Sequence, residues 1–149
     1  MSKQVADFHK QIVELVKKYQ FRDRDQILSH GISVSQCYIL ETLYSHGSIT
    51  VGLLAEKMYL SISTITRVVD QLVKKGYVKR EQDTNDRRIH VNKITKAGEK
   101  VYLKSWENIF ESEKAILNNF NPEQRALLID FLKKLNQSVS EWHNSCKVK

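Results

Sequence analysis

Between Ser61 and Lys75 the chain carries side chains able to make directional contacts with a polyanion. On a helix, Ser63, Thr64, Arg67, Gln71 and Lys74 fall in one row. Arg67 has the fork geometry that pairs with guanine, Gln71 the amide that pairs with adenine, and the hydroxyls of Ser63, Thr64 and Thr66 suit bases or phosphates. Ser61 is placed to cap the helix, and the N-terminus over Ser61 to Thr64 presents free backbone N–H groups to an approaching phosphate. Some ten residues beyond the helix, Asp83-Thr84-Asn85-Asp86-Arg87-Arg88 is a turn sequence that ends in two arginines. Bare carboxylates repel phosphates, so Asp83 and Asp86 are expected to hold the turn and its arginines. Lys74, Lys75, Lys79, Arg80 and Lys93 supply generic attraction for phosphate. A competing partner for Arg67 is Asp70, three residues on; the pair and a base contact are compatible if Asp70 orients the guanidinium.

The elements that must position these groups are legible from periodicity. Ile62, Ile65, Val69 and Leu72 form one apolar stripe, widened by Val68 and Val73, and Gly76 supplies a stop after Lys74 and Lys75. Strands are expected over Tyr77 to Glu81 and Ile89 to Ile94, around the acidic-basic turn. A polar-faced helix followed by a hairpin with a basic tip is the layout of a winged helix-turn-helix, with the helix in a major groove and the tip near the minor groove. Upstream, Thr50 caps a supporting helix over about Val51 to Met58, with Leu53 where an acidic residue would complete a capping box. Ser33 and Gln36 form such a box for a helix ending at Gly47, with Ile32 and Cys37 placed as a staple. A first helix, roughly Lys3 to Tyr19, carries Val5, Phe8, Ile12, Leu15 and Tyr19 as an apolar seam; Phe21 to His30 is expected to be a loop or helix end. After Thr95 a long helix runs to about Phe120, and Asn121-Pro122-Glu123-Gln124 restarts a last helix with Leu128, Leu135, Val139 and Trp142 on one stripe.

The run from Leu54 to Gly98 (Leu54-Ala55-Glu56-Lys57-Met58, Ser63-Thr64-Ile65-Thr66-Arg67, Lys75-Gly76-Tyr77-Val78, Asp86-Arg87-Arg88, Ile94-Thr95 and Gly98) resembles the MarR family of transcriptional regulators. The flanking helices extend the resemblance to essentially the whole chain. It implies a mainly α fold, α+β only by its small wing: a winged helix-turn-helix head flanked by N- and C-terminal dimerisation helices. Residues 1–30 would be a dimerisation helix and loop, 31–95 the head (51–75 the helix-turn-helix, 77–94 the wing) and 96–149 dimerisation helices, in one domain. It further implies a homodimer with intertwined terminal helices, binding double-stranded DNA. Arg67 matches an arginine on the DNA-facing side, Arg88 the wing-tip arginine that enters the minor groove, and Arg87 a helper on phosphate. Family members typically repress transcription and release DNA when a small phenolic or lipophilic effector binds between the dimer helices and the head; Tyr38 and Trp106 are candidates for that pocket, with plain core packing as the alternative. The second wing strand departs from the pattern, because His90 and Asn92 stand where apolar residues would alternate, and a bulged or shifted wing is therefore expected.

Composition sets bounds on these expectations. A chain of 149 residues is one domain by length and buries a real core without staples. Residues 51–100 hold eleven Lys/Arg and six Asp/Glu of a chain whose formal net charge is +7, so most of the basic excess sits on the suspected DNA-reading head. No apolar run has the length of a membrane span, and the N-terminal MSKQVADFHKQ is not a secretory pattern, so a cytoplasmic protein is expected. The two cysteines, Cys37 in a core-facing slot and Cys146 in the tail, form neither a disulfide framework nor a zinc pattern. The five histidines are scattered, and no phosphate-binding glycine loop, H-E-x-x-H or G-x-S-x-G occurs, so neither enzyme, metal site nor cofactor is expected. The rival class is a winged-helix protein–protein adapter without DNA binding, which gives no reason for Arg67 and the Asp-Arg-Arg tip to remain exposed.

Overall fold

The computed structural model describes residues 2–28 and 30–147; Met1, Ser29, Val148 and Lys149 lie outside the described residues. Its elements are α1 (Lys3–Leu28), α2 (Val34–His46), α3 (Val51–Met58), α4 (Ile62–Lys74), β1 (Val78–Gln82), β2 (His90–Ile94), α5 (Lys96–Leu117) and α6 (Pro122–Lys147). The fold is mainly α with a small antiparallel wing. The chain divides within α5 into two compact units, one ending at Ile109 and the other starting at Phe110.

In the first unit α2, α3 and α4 enclose the core. Ile39, Leu40, Leu43, Leu54, Ile65 and Leu72 are fully buried, and each full burial of such a side chain stabilises by about 1.5–3 kcal/mol. The local punctuation sets the helix ends. Ser33 Oγ accepts from the Gln36 N–H at 3.2 Å while Gln36 Oε1 accepts from the Ser33 N–H at 3.3 Å, and Ile32 and Cys37 are both buried. Thr50 Oγ1 accepts from the Leu53 N–H at 3.2 Å. The first helix exceeds its expected end by nine residues. Phe21 to Leu28 is helix rather than loop, because Ile27 anchors it in the core and Asp23 is buried against Tyr38. Along α1, Val5, Phe8, Leu15, Val16 and Phe21 stay exposed.

The wing is regular, which corrects the expectation of a bulge or shift. β1 pairs with β2 from Val78↔Ile94 to Gln82↔His90 without interruption. Asn92 is 2% exposed and does occupy an inward position. Its amide is tolerated there because Ile49 runs alongside as a short bridge: the Asn92 N–H and Nδ2 both donate to the Ile49 carbonyl, at 2.8 and 3.3 Å, and the Ile49 N–H donates back at 3.1 Å.

The exit of the wing explains the Ile94-Thr95-x-x-Gly98 pattern physically. Thr95 donates its hydroxyl to the Gly76 carbonyl at 2.7 Å and its N–H to the Tyr77 carbonyl at 3.0 Å, and accepts from the Gly98 N–H at 3.1 Å. A Cβ on Gly98 would lie 2.2 Å from the Tyr77 carbonyl oxygen, so only glycine lets α5 start this close to the base of the wing.

In the second unit the expected restart at Asn121 is present. Asn121 Oδ1 accepts from the Gln124 N–H at 2.9 Å and Gln124 Oε1 from the Asn121 N–H at 3.0 Å. Arg125 Nε donates to the carbonyls of Leu117 and Phe120 at 2.8 and 2.9 Å, satisfying orphan acceptors at the end of α5. On α6, Leu127, Phe131, Val139 and Trp142 are exposed. Cys146 is on the last turn of α6 rather than in a loose tail. Among the described residues, no helix is long and apolar enough to cross a membrane.

Candidate nucleic-acid interface

The polar end of α4 is built from its cap outward. Ser61 Oγ accepts from the Thr64 N–H at 3.2 Å and lies 3.0 Å from Ser63 Oγ and 2.8 Å from Thr64 Oγ1, so three hydroxyls cluster over the first turn. Thr66 gives its hydroxyl proton to the Ile62 carbonyl at 2.8 Å; what remains for a partner is its methyl group and an acceptor lone pair. Ser63, Arg67, Gln71 and Lys74 are exposed, while Ile65, Val68, Val69 and Leu72 hold the opposite face in the core. Ile62 departs from the expected stripe: it is 61% exposed, because the first helical residue precedes the turn that packs against α2 and α3.

Several charged or amide groups have assignments that the sequence did not reveal. Asp70 pairs with Arg80 across to β1 at 2.7 Å, not with Arg67. Arg80 therefore ties the wing to the helix instead of serving only as diffuse positive charge. Lys75 Nζ donates to the Gly31 carbonyl at 2.7 Å and to Gln36 Oε1 at 3.0 Å, and Gln36 Nε2 donates to Gln71 Oε1 at 3.0 Å. Lys75 and Gln71 thus join the end of α4 to the start of α2, and Lys75 commits two of its three donors inside the fold. Lys79 pairs with Glu81 on its own strand, and that ammonium holds the Glu81 carboxyl below its ordinary value. Lys93 is exposed on β2.

At the wing tip, Asp83 Oδ1 accepts from the N–H groups of Asn85 and Asp86 at 2.8 and 3.1 Å and shapes the turn. Asp86 Oδ1 accepts from the Arg88 N–H and Nε at 3.0 and 3.1 Å, and Oδ2 accepts from Nη2 at 3.0 Å. The Arg88 side chain holds the Asp86 carboxyl below its usual range, with the Arg88 backbone N–H adding to the effect. Arg88 is 90% exposed even so, a charge presented outward in a fixed pose. Arg87 is exposed beside it.

Away from this surface, Tyr38 donates its hydroxyl to Asp23, which also accepts from Arg22 Nε at 2.9 Å and Nη2 at 2.6 Å. Burial, then the bond to Asp23, pushes the Tyr38 phenol up. Trp106 is exposed on α5. Burial, reinforced by Glu41 and Asp23, pushes the Cys37 thiol up to about 12, a protonated and unreactive group at neutral pH. Among the described residues no cluster of His, Cys, Asp and Glu could hold a metal ion.

Known proteins resemble this chain in sequence and fold. The family model described as MarR family matches residues 32–90. The chain is 32% identical over 117 residues to the uncharacterized HTH-type transcriptional regulator YfiV of Bacillus subtilis, covering 78% of this chain and 73% of that protein. It is 27% identical over 116 residues to the HTH-type transcriptional repressor MdtR of the same organism, covering 78% and 72%. The solved structure of a MarR family protein from Bacillus stearothermophilus superposes with a TM-score of 0.84 at 27% identity, over 94% of this chain and 99% of that one. These likenesses establish that the chain, with its capped α4 and its two-stranded wing, belongs to the MarR family of DNA-binding, winged helix-turn-helix transcriptional regulators.

Proposed function

We propose that the protein is a homodimeric repressor that binds an inverted-repeat operator and leaves it when a small-molecule effector binds. The observation that carries this reading is the outward polar face of α4, on which Arg67 is exposed and Asp70 is engaged elsewhere by Arg80. Ser61, Ser63, Thr64, Thr66, Arg67 and Gln71 face the major groove in this scheme, with Gln71 held by Gln36. Arg88 and its helper Arg87 take the minor groove, and Lys74, Lys79, Arg80 and Lys93 add attraction for phosphate. The exposed apolar side chains of α1 and of α6 support self-association, since such surface is costly to leave in water. Residues 1–30 and 96–149 would then form the dimer and 31–95 the head. Two heads on a two-fold axis read half-sites about 34–36 Å apart. Repression is favoured over activation by the relative whose name records a repressor.

The effector in this scheme is a small phenolic or lipophilic molecule, received near Tyr38 and Trp106. An effector that binds equally well to Tyr38→Ala and Trp106→Ala proteins of intact fold removes those two residues from the scheme.

The test is binding of the protein to DNA from its own upstream region during a salt titration. If each dimer neutralises about six to ten phosphates, affinity falls about 10³- to 10⁵-fold between about 50 and 200 mM salt. Arg67→Ala and Arg88→Ala each abolish selective binding. Weak binding that ignores salt and both substitutions refutes the reading and leaves the protein–protein adapter in its place.

A further inference from the structure

The DNA-facing surface of the first unit contains two large side chains that the hydroxyls and arginines do not account for. Ile62 opens α4 and is 61% exposed; Tyr59, three residues before it, is 70% exposed. Tyr59 also has a left-handed backbone, φ 55°, with its N–H and that of Leu60 closing the end of α3 on the carbonyls of Glu56 and Ala55. Glycine is the residue that takes this conformation without cost. Ile62 thus sits where a more polar residue would suit the isolated chain better.

The surroundings of Ile62 indicate what covers it. Ile62 lies between the hydroxyl cluster of Ser61, Ser63 and Thr64 and the side chain of Thr66, whose hydroxyl proton is turned onto the Ile62 carbonyl. Ile62 and the Thr66 methyl therefore give one flank of the polar face an apolar edge. In the major groove only thymine offers a complementary apolar group, its 5-methyl. We propose that Ile62 packs against a thymine 5-methyl in each half-site and that Tyr59 covers the sugar–phosphate backbone beside it, so that a fixed T belongs to the operator. This rests on the DNA-reading function proposed above and adds a base preference to it.

The experiment selects a preferred duplex from a random-sequence library with the full-length protein, then replaces each thymine singly with deoxyuridine, which removes the methyl and nothing else. For the wild type, replacement at one position of each half-site weakens binding about fourfold, the effect of one buried methyl. Ile62→Ala binds the same duplex more weakly and is indifferent to that replacement. Tyr59→Gly keeps its fold, because glycine accepts the backbone there, yet binds every duplex several-fold more weakly. A wild type indifferent to deoxyuridine throughout the site overturns the proposal, as does an Ile62→Ala protein that keeps the wild-type penalty. Unchanged affinity of Tyr59→Gly removes Tyr59 from the interface. A wild type that selects no sequence at all overturns the DNA-reading function itself, a failure distinct from the others.

Discussion

Alanine in place of glycine should have opposite effects at two helical positions of this protein. At Gly98 the new Cβ would lie 2.2 Å from the Tyr77 carbonyl oxygen and 2.9 Å from Ile94 Cγ1. The first distance is more than about 1 Å inside van der Waals contact. The offending atom is backbone, so no rotamer change relieves it, and α5 must draw back from the wing. Overpacking of this kind costs about 1–3 kcal/mol. Withdrawal also strains the Thr95 N–H bond to the same Tyr77 oxygen, at 3.0 Å, a further loss of about 1 kcal/mol. Alanine recovers about 1 kcal/mol through its better helix propensity. The balance is a loss of about 2 kcal/mol, a fall in Tm of about 4–8 °C for a chain of this size. At Gly52, inside α3, the nearest atom to a new Cβ is Thr50 Oγ1 at 3.9 Å, an ordinary contact. There the propensity gain stands alone, about 0.5–1 kcal/mol and a Tm higher by about 1–4 °C. Thermal melts of both variants at one protein concentration check the pair, since self-association would otherwise shift the midpoint. A Gly98→Ala protein that melts at or above the wild type would falsify the close-approach account of the Ile94-Thr95-x-x-Gly98 motif.

Three further outcomes are expected. Asp86→Ala frees Arg88, so operator affinity should drop about three- to tenfold, the effect of ordering one long side chain on binding, while Tm barely moves because the pair is exposed. The Asp86 carboxyl is held low, so its clamp is complete above the ordinary carboxylate range and is lost only as pH falls through the depressed value; between about pH 5 and 8 it adds no pH dependence to binding. Lys74→Ala should lower the slope of log affinity against log salt by about one, whereas Lys75→Ala, which removes the bonds to Gly31 and Gln36, should lower Tm; equal effects on both readouts would contradict this division. Thiol reagents at pH 8 should label exposed Cys146 and spare Cys37, which is buried with its thiol pushed up to about 12; mass spectrometry of the labelled native protein decides it.

What the sequence determined by itself was local. Caps at Ser33, Thr50, Ser61 and Asn121 stand within three residues of the groups they bind, and the apolar period of Ile65, Val69 and Leu72 fixes which face of α4 turns inward. The wing turn was legible for the same reason, since Asp83 and Asp86 bond groups two or three residues away. The tertiary structure decided whatever depends on groups far apart in the chain. Lys75 and Gln71 look like free contacts on a helical wheel, yet their partners lie 44, 39 and 35 residues upstream. Asn92 looked like a break in the strand pattern until Ile49, 43 residues before it, supplied the acceptor that makes a buried amide tolerable. The polar end of α1 could be loop or helix end from its sequence; it is helix because Asp23 finds the Tyr38 hydroxyl and Ile27 finds the core. Ile62 erred in the opposite sense: periodicity turned it inward, yet as the first residue of α4 it remains exposed. Periodicity and capping act over one or two turns of chain, whereas burial and polar pairing are settled by which distant segments the fold brings alongside.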